Sequence, residues 1–277
     1  MSTMKKPLRI DIVVEPTTAP DVVADLERSG FEAAWVTETV RDPFLVLAAA
    51  ADRTTGMRLA TGLAVAFARS PMTTALSAHD LQRTSRGRLV LGLGSQVKAH
   101  VTRRFSMDWS HPADRMREYV LALRAIWSAW NDGAELEFSG RFYNHTLMPP
   151  FFNPGPNGFG APPVVLGGVG TRMTAVAAEV ADGFLCAPLT SPRSFEEQTL
   201  PALTAGWRQR GAAQRPPDFQ VSAMPFVVTG TDATTMARVA DATRQRIAFY
   251  ASTPAYRGIL ELHGWAARAE ELTRLSK

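Results

Sequence analysis

Three groups of residues in this chain have types and spacings that can do chemistry. The first is Gly167-Gly168-Val169-Gly170-Thr171-Arg172, a glycine-rich turn between an apolar run and a helix-like segment. Backbone N–H groups at a helix N-terminus, with the helix dipole behind them, bind phosphate or carboxylate. Arg172 can add charge-assisted hydrogen bonds. The other reading of these glycines is a tight turn that needs φ > 0. The turn has no GKS/T ending and no dinucleotide spacing, so it is neither a Walker loop nor a Rossmann fingerprint. The second group is Glu38, which ends an apolar run in Val36-Thr37-Glu38-Thr39. It reads either as a polar contact to a ligand or as a helix-capping, solvent-facing acid. The third is a polar stretch carrying His100, Arg103, Arg104, Trp109 and His111. A histidine there can act as acid, base or donor to an anionic ring; the alternative is an ordinary surface loop. Just before it, Gly92-Leu93-Gly94-Ser95 ends another apolar run, where backbone can approach a ligand closely.

Composition narrows the classes. The five histidines (His79, His100, His111, His145, His263) show no HxH or HExxH spacing, and Cys186 is the one cysteine, so no metal site is expected. No GxSxG elbow is present, which argues against a serine hydrolase. A single cysteine cannot build a disulfide framework and suits a reducing compartment. Met1 to Arg9 lacks an apolar h-region and no stretch is long enough to span a bilayer. The expectation is a cytoplasmic protein without a membrane partner. The net charge of +4 is spread along the chain with no basic block, so no nucleic-acid partner is expected. A mild positive bias suits an anionic small ligand.

The elements that must position these residues follow a βα rhythm. Strand candidates are Leu8–Val14, Ala33–Glu38, Met57–Val65 and Arg88–Gly94, alternating with helices at Pro20–Gly30, Asp42–Thr55 and Pro71–Ser85. Ser95–Pro112 interrupts the rhythm as a polar, irregular insert. The long helix Ala113–Trp130 follows, with Met116, Tyr119, Val120, Leu123, Ile126, Trp127 and Trp130 on one face. Both tryptophans read as core. A short hairpin spans Leu136–Asn144, and Pro149–Pro163 is a Pro/Gly-rich loop. The rhythm resumes with strands at Pro163–Leu166, Gly183–Ala187 and Gln220–Thr229 and helices at Thr171–Val180, Phe195–Gly211 and Asp232–Tyr250. Gly258–Leu275 reads as helix broken near Gly264. Apolar runs joined by helices predict a parallel α/β fold, a TIM-type barrel in one domain over 1–277, with the insert at 95–112 and the loop at 149–163. Seven strand candidates are present and no eighth. With no nucleophile in view, the pattern suits a protein whose cofactor carries the chemistry.

Several motifs resemble the bacterial-luciferase-like superfamily, and within it the oxidoreductases that use the deazaflavin coenzyme F420. They are Ala60-Thr61-Gly62, Gly87-Arg88-Leu89-Val90-Leu91-Gly92-Leu93-Gly94, Arg115-Met116-Arg117-Glu118-Tyr119, Gly167 to Arg172 and Ala181-Asp182-Gly183. The resemblance implies a (β/α)8 barrel with its cofactor at the C-terminal face. It implies a non-prolyl cis peptide in a strand-three bulge, aligned at Ala64-Val65, behind the cofactor ring. Thr39, Gly94 and Ser95 fall beside that ring, with Glu38 near its edge. The phosphate falls on the turn from Gly167 through Gly168, Val169, Gly170 and Thr171 to Arg172. His100 aligns with a ring-side asparagine of a sugar-phosphate dehydrogenase branch. That branch has histidine where this chain has Thr39 and an acidic glutamate where it has Val97, which argues against sugar-phosphate oxidation. The implied activity is hydride transfer between coenzyme F420 and an unidentified small organic substrate, with His100 and Glu38 as catalytic candidates. An FMN-dependent luciferase-like monooxygenase is the alternative. A non-catalytic or truncated ligand-binding barrel is the alternative from another class. The family supplies an eighth strand and helix that this sequence lacks. Unpaired edges would follow, which a second copy of the chain could cover, so a homodimer stays open.

Overall fold

A computed structural model of the protein describes residues 8–275. They fall into two compact units that divide between Leu166 and Gly167. The first unit opens with β1 (Ile12–Val14), α1 (Pro20–Arg28), β2 (Ala33–Val36), α2 (Pro43–Ala51), β3 (Arg58–Thr61), β4 (Ala64–Val65), α3 (Pro71–Thr84) and β5 (Leu89–Gly94). It continues with α4 (Lys98–Arg103), α5 (Pro112–Asn131), the hairpin strands β6 (Phe138–Ser139) and β7 (Asn144–His145), and the start of β8 (Val164–Gly168). β1, β2, β3, β5 and β8 pair in that order, each parallel to its neighbour, and β4 pairs with β5.

Local chemistry explains where the helices begin. α1, α2, α3 and α5 all carry proline in their first turn, where the missing N–H costs nothing. The Asp42 carboxylate accepts from Phe44 N–H at 2.8 Å and caps α2. The Ser70 hydroxyl accepts from Thr73 N–H at 3.1 Å and caps α3. Gly87 ends α3's turn at φ +83°, the left-handed position that favours glycine. Arg88 then donates to Ser85 O, Thr54 Oγ1, Met57 O, Ala51 O and Thr54 O, tying the start of β5 to the loop before β3. Strands β2 and β5 are buried on both faces, as parallel strands between helix layers are. The predicted apolar face of α5, including Trp127 and Trp130, lies in this unit's core.

Four expectations change. The third strand is two pieces, β3 and β4, separated by a bulge at Gly62 and Leu63. The cis peptide is Gly62–Leu63, not Ala64–Val65. Ala64 and Val65 instead pair regularly with Leu93 and Gly94. Gly62 passes close to Trp35, where an added Cβ would sit 3.0 Å from Trp35 Cβ. The insert is not wholly irregular, since it contains α4. The first strand is shorter than expected.

The second unit takes the end of β8 and then α6 (Thr171–Val180), β9 (Gly183–Cys186), α7 (Pro192–Ser194), a π-helical turn (Phe195–Thr199) and α8 (Leu200–Gln209). β10 (Gln220–Ser222), α9 (Ala233–Ser252), α10 (Arg257–Leu262) and α11 (Ala266–Leu275) complete it. β9 and β10 are parallel. α6 and α8 pack so closely that a Cβ on Gly206 would overlap the Ala175 carbonyl oxygen. The expected strand Gln220–Thr229 pairs over Gln220–Ser222 alone, against Gly183 to Leu185 of β9, and the chain after Ser222 leaves the ladder. Among the described residues no strand follows β10. The break expected near Gly264 is present, with Gly264 at φ +76° between α10 and α11. No helix among the described residues is long and apolar enough to cross a membrane.

Candidate functional site

In the first unit the exits of β2, β4 and β5 gather most of the residues singled out above. Glu38 leaves β2 and its carboxylate is nearly buried, 7% exposed. Its Oε2 accepts from the backbone N–H of Val65 at 2.7 Å and from Arg69 Nη1 at 2.8 Å. Arg69 Nη2 donates to Asp42 at 2.7 Å, and its guanidinium lies 5.6 Å from the centre of the Phe44 ring. Burial alone would lower the Arg69 pKa, but the hydrogen bonds and attraction from Glu38 and Asp42 outweigh it and raise it. The result is a clamp: one fixed cation joins the β2 exit to the strand that follows the bulge. Glu38 caps no helix, since Asp42 holds that role at α2.

The same bulge explains the glycines of β5. A Cβ on Gly92 would overlap the Thr61 carbonyl oxygen, and one on Gly94 would lie 3.1 Å from Leu63 Cδ1. Thr61 Oγ1 also donates to Gly92 O at 2.6 Å. The close approach at these glycines is made by the chain itself. Ser95 is half-buried, with its hydroxyl donating to Gln96 O at 3.1 Å. At the β2 exit Thr37 Oγ1 is buried without a hydrogen-bond partner among the described residues. Ala64 and Val65 are buried, whereas Thr39 is exposed.

The insert is fastened at Arg104 and at Asp108. Arg104 Nη2 donates to the Thr39 carbonyl at 2.5 Å. Arg115, at the start of α5, donates to Asp108 O at 2.7 Å and to the Tyr143 hydroxyl at 2.8 Å. Its guanidinium stands 4.8 Å from the Phe67 ring centre, and Trp109 meets Phe67 edge-on at 5.9 Å. Glu118, one turn further on, accepts from the amides of Phe142 and Tyr143 and so holds the β6–β7 hairpin. The Arg115–Tyr119 motif is thereby accounted for by what it fastens. His100 is exposed on α4, and its ring has no partner among the described residues. His111 is exposed at the N-cap of α5, with φ +41°. Arg69 and Tyr143 belong to none of the motifs read from the sequence, whereas Arg115 opens one of them. The available signal was Arg69 itself, a lone charge in Ala64-Val65-Ala66-Phe67-Ala68-Arg69 between two ordered elements.

In the second unit the glycine-rich turn leads into α6. None of its glycines has positive φ, so left-handed backbone is not why they are there. Gly170 is the N-cap of α6, at φ −87° and ψ 150°, and a Cβ added to it would meet nothing within 4 Å. Gly168 is tighter, with an added Cβ 2.6 Å from Met173 Cγ. Thr174 N–H is bonded to Gly170 O, so the N–H groups of Thr171 and Met173 precede the first intrahelical bond of α6. Thr171 and Arg172 are exposed; Gly167 lies in β8, and Val169 joins the strand to the N-cap glycine. An anion in front of Gly170 fits this arrangement. Cys186 ends β9, and burial pushes its thiol up to about 11, so it stays protonated.

Each unit is parallel α/β with polar residues or glycines at the C-terminal ends of its strands, where TIM-type barrels carry their active-site residues. Residues 8–277 match the luciferase-like monooxygenase family, and the chain belongs to it. It is 49% identical over 259 residues to the uncharacterized protein Rv1360 of Mycobacterium tuberculosis, covering 94% of this chain and 76% of that one. The coenzyme F420 dependent tetrahydromethanopterin reductase from Methanopyrus kandleri superposes with a TM-score of 0.76 at 22% identity, over 95% of this chain and 77% of that one. The oxygenating constituent of 3,6-diketocamphane monooxygenase of Pseudomonas putida, a type II Baeyer-Villiger monooxygenase in complex with FMN, superposes with a TM-score of 0.69 at 15% identity. It covers 95% of this chain and 80% of that one. The fold is therefore the luciferase-like barrel fold, and the family is one of oxidoreductases.

Proposed function

We propose that the protein is an oxidoreductase that transfers a hydride between coenzyme F420 and a small organic substrate. The observation that carries this reading is the turn before α6. Its N-cap glycine faces open space, its backbone is one that any residue could adopt, and α6 begins directly behind it. A phosphate-bearing cofactor gives such glycines a purpose that the backbone does not. The likeness to an F420-dependent reductase supports the choice of cofactor.

A deazaflavin supplies a ring carbon that gives or accepts a hydride. The chain's contribution is placement and shielding. Gly167 to Arg172 would hold the phosphate. The β4 bulge, with Ala64 and Val65, would back the ring, beside Thr39, Gly94, Ser95 and the unpartnered Thr37 hydroxyl. In this reading Glu38 positions the bulge through Val65 and Arg69 and does not itself move a proton. His100 holds or moves the proton at an imidazole nitrogen. A second reading is an FMN-dependent monooxygenase, favoured by the FMN-bound neighbour.

Parallel titrations with F420 and FMN, followed by absorbance and fluorescence, decide between the two. Saturable binding of F420 with FMN much weaker is expected. Preference for FMN moves the protein to the second reading. Binding of neither supports a barrel without this chemistry.

A further inference from the structure

We propose that Arg41, Lys98, Arg103 and Arg104 form an anion-recognition patch at the exits of β2 and β5, and that the substrate is accordingly a small carboxylate or phosphate ester. The proposal deepens the oxidoreductase reading, since it assigns a substrate class to the same region.

The charge balance there is uneven. The β2 exit, residues 37–43, holds Arg41 with the acids Glu38 and Asp42; the insert, residues 95–111, holds Lys98, Arg103 and Arg104 with Asp108. Glu38 and Asp42 are both turned onto Arg69, so they offer little to the cations outside. Asp108 is exposed, four residues beyond Arg104. Arg41, Lys98 and Arg103 are exposed and pair with no carboxylate among the described residues. Other surface arginines do find one: Arg28 pairs with Asp25, Arg193 with Glu197, and Arg268 with Glu271.

Geometry adds what charge alone does not. Arg104 is tethered rather than loose. Its Nη2 donates to Thr39 O at 2.5 Å, its guanidinium stacks 4.8 Å from the Phe105 ring centre, and its backbone N–H is bonded to His100 O at 3.0 Å. The tether brings the end of α4 against the β2 exit, two residues from Arg41. A guanidinium fixed by one donor keeps the remaining donors of its planar fork for a carboxylate or phosphate, and loses less freedom on binding than a mobile lysine. His100 lies on the same six-residue helix as Lys98 and Arg103. An acid group held by Arg104 would therefore lie close to the residue proposed to handle the proton. The cofactor phosphate has a separate candidate, the turn before α6.

The test begins with cofactor-free protein and two probes, inorganic phosphate and succinate, titrated by calorimetry at fixed ionic strength. Saturable binding is expected, and Arg104→Gln should weaken it about ten-fold, the loss of a charge-assisted hydrogen-bonding partner. Arg103→Gln, which breaks no internal bond, should also weaken it and serves if Arg104→Gln fails to fold. Arg193→Gln, at a paired surface arginine, should bind as wild type does. Absence of saturable binding, or wild-type binding by both Arg103→Gln and Arg104→Gln, overturns the proposal. F420 is then titrated into the same variants. Affinity within about two-fold of wild type is expected, well under the ten-fold loss assigned to a charged partner. A parallel loss of F420 affinity assigns the patch to the cofactor's acidic tail and overturns the substrate assignment. If the protein binds no F420 yet keeps Arg104-dependent phosphate binding, the cofactor reading fails while the patch stands.

Discussion

Replacing Glu38 removes one of the two carboxylates that hold Arg69, and with it the acceptor for Val65 N–H. Breaking a buried pair from one side leaves an uncompensated charge, so Glu38→Ala should destabilise the protein by about 2–4 kcal/mol in denaturant unfolding. Glu38→Gln should cost less, because an amide oxygen can still accept from Val65. An unchanged unfolding midpoint in Glu38→Ala would free the carboxylate for a chemical role. His100 sits at the other extreme. It is exposed and unpartnered, so His100→Ala should change stability by no more than about 0.5 kcal/mol. Under the proposed function it should slow single-turnover hydride transfer by about 100-fold, the range of lost acid–base help, with cofactor affinity little altered. A wild-type rate removes His100 from the mechanism.

Gly170 tests the turn as an element. Its conformation suits any residue and the space before it is open, so Gly170→Leu should leave the thermal midpoint near wild type while a bulky side chain obstructs the first-turn amides of α6. Cofactor affinity should fall at least ten-fold, about the value of a lost charge-assisted hydrogen bond. Equal loss of fold and binding would return the turn to a purely structural role. The turn was legible in the sequence because glycine spacing and a following helix are local signals. The βα alternation and the apolar face of α5 were legible for the same reason: they depend on neighbours within a few residues. The site's inner arrangement was not. Glu38 meets Val65 and Arg69 across 27 and 31 residues, and the one local signal, the lone charge of Arg69 after an apolar run, does not say which acid it meets. Gly92 and Gly94 looked like places for a ligand, but the crowding comes from Thr61 and Leu63, which reach them only once the bulge forms. The bulge itself was placed two residues late, since β-rich composition runs through Ala60 to Val65 without marking where pairing breaks. Likewise Gln220 to Thr229 has strand-like composition, but only the three residues that meet Gly183 to Leu185 form β10.

At the scale of the whole molecule, acid sensitivity follows from two histidines whose surroundings disfavour charge. His79 is buried on α3, its Nδ1 3.2 Å from Asn157 Nδ2 and its ring edge-on to Trp130 at 5.1 Å. Burial lowers its pKa, and a hydrogen bond to the Gly155 backbone offsets this only in part. His145 is lowered by burial as well, with its Nε2 unpartnered among the described residues. Both rings are neutral in the folded protein at pH values where the unfolded chain, titrating near 6.5, has begun to take up protons. The unfolded state then binds more protons, so stability falls as pH drops below about 6.5 and continues to fall until the folded pKa is reached. Each group can contribute a slope of up to about 1.4 kcal/mol per pH unit in that window. Glu27 acts in a separate, lower window. Burial would raise its pKa, but the amides of Gly56, Met57 and Thr55 and the charge of Arg88 lower it below 4.5, so its contribution is lost only in stronger acid. Urea unfolding at about pH 7.5, 6.5 and 5.5 should therefore show a falling midpoint well before the carboxylates titrate. His79→Gln, which keeps a neutral acceptor for Asn157, should flatten part of that fall. A midpoint constant down to about pH 5.5 would mean that both histidines accept protons in the folded state as readily as in the unfolded chain.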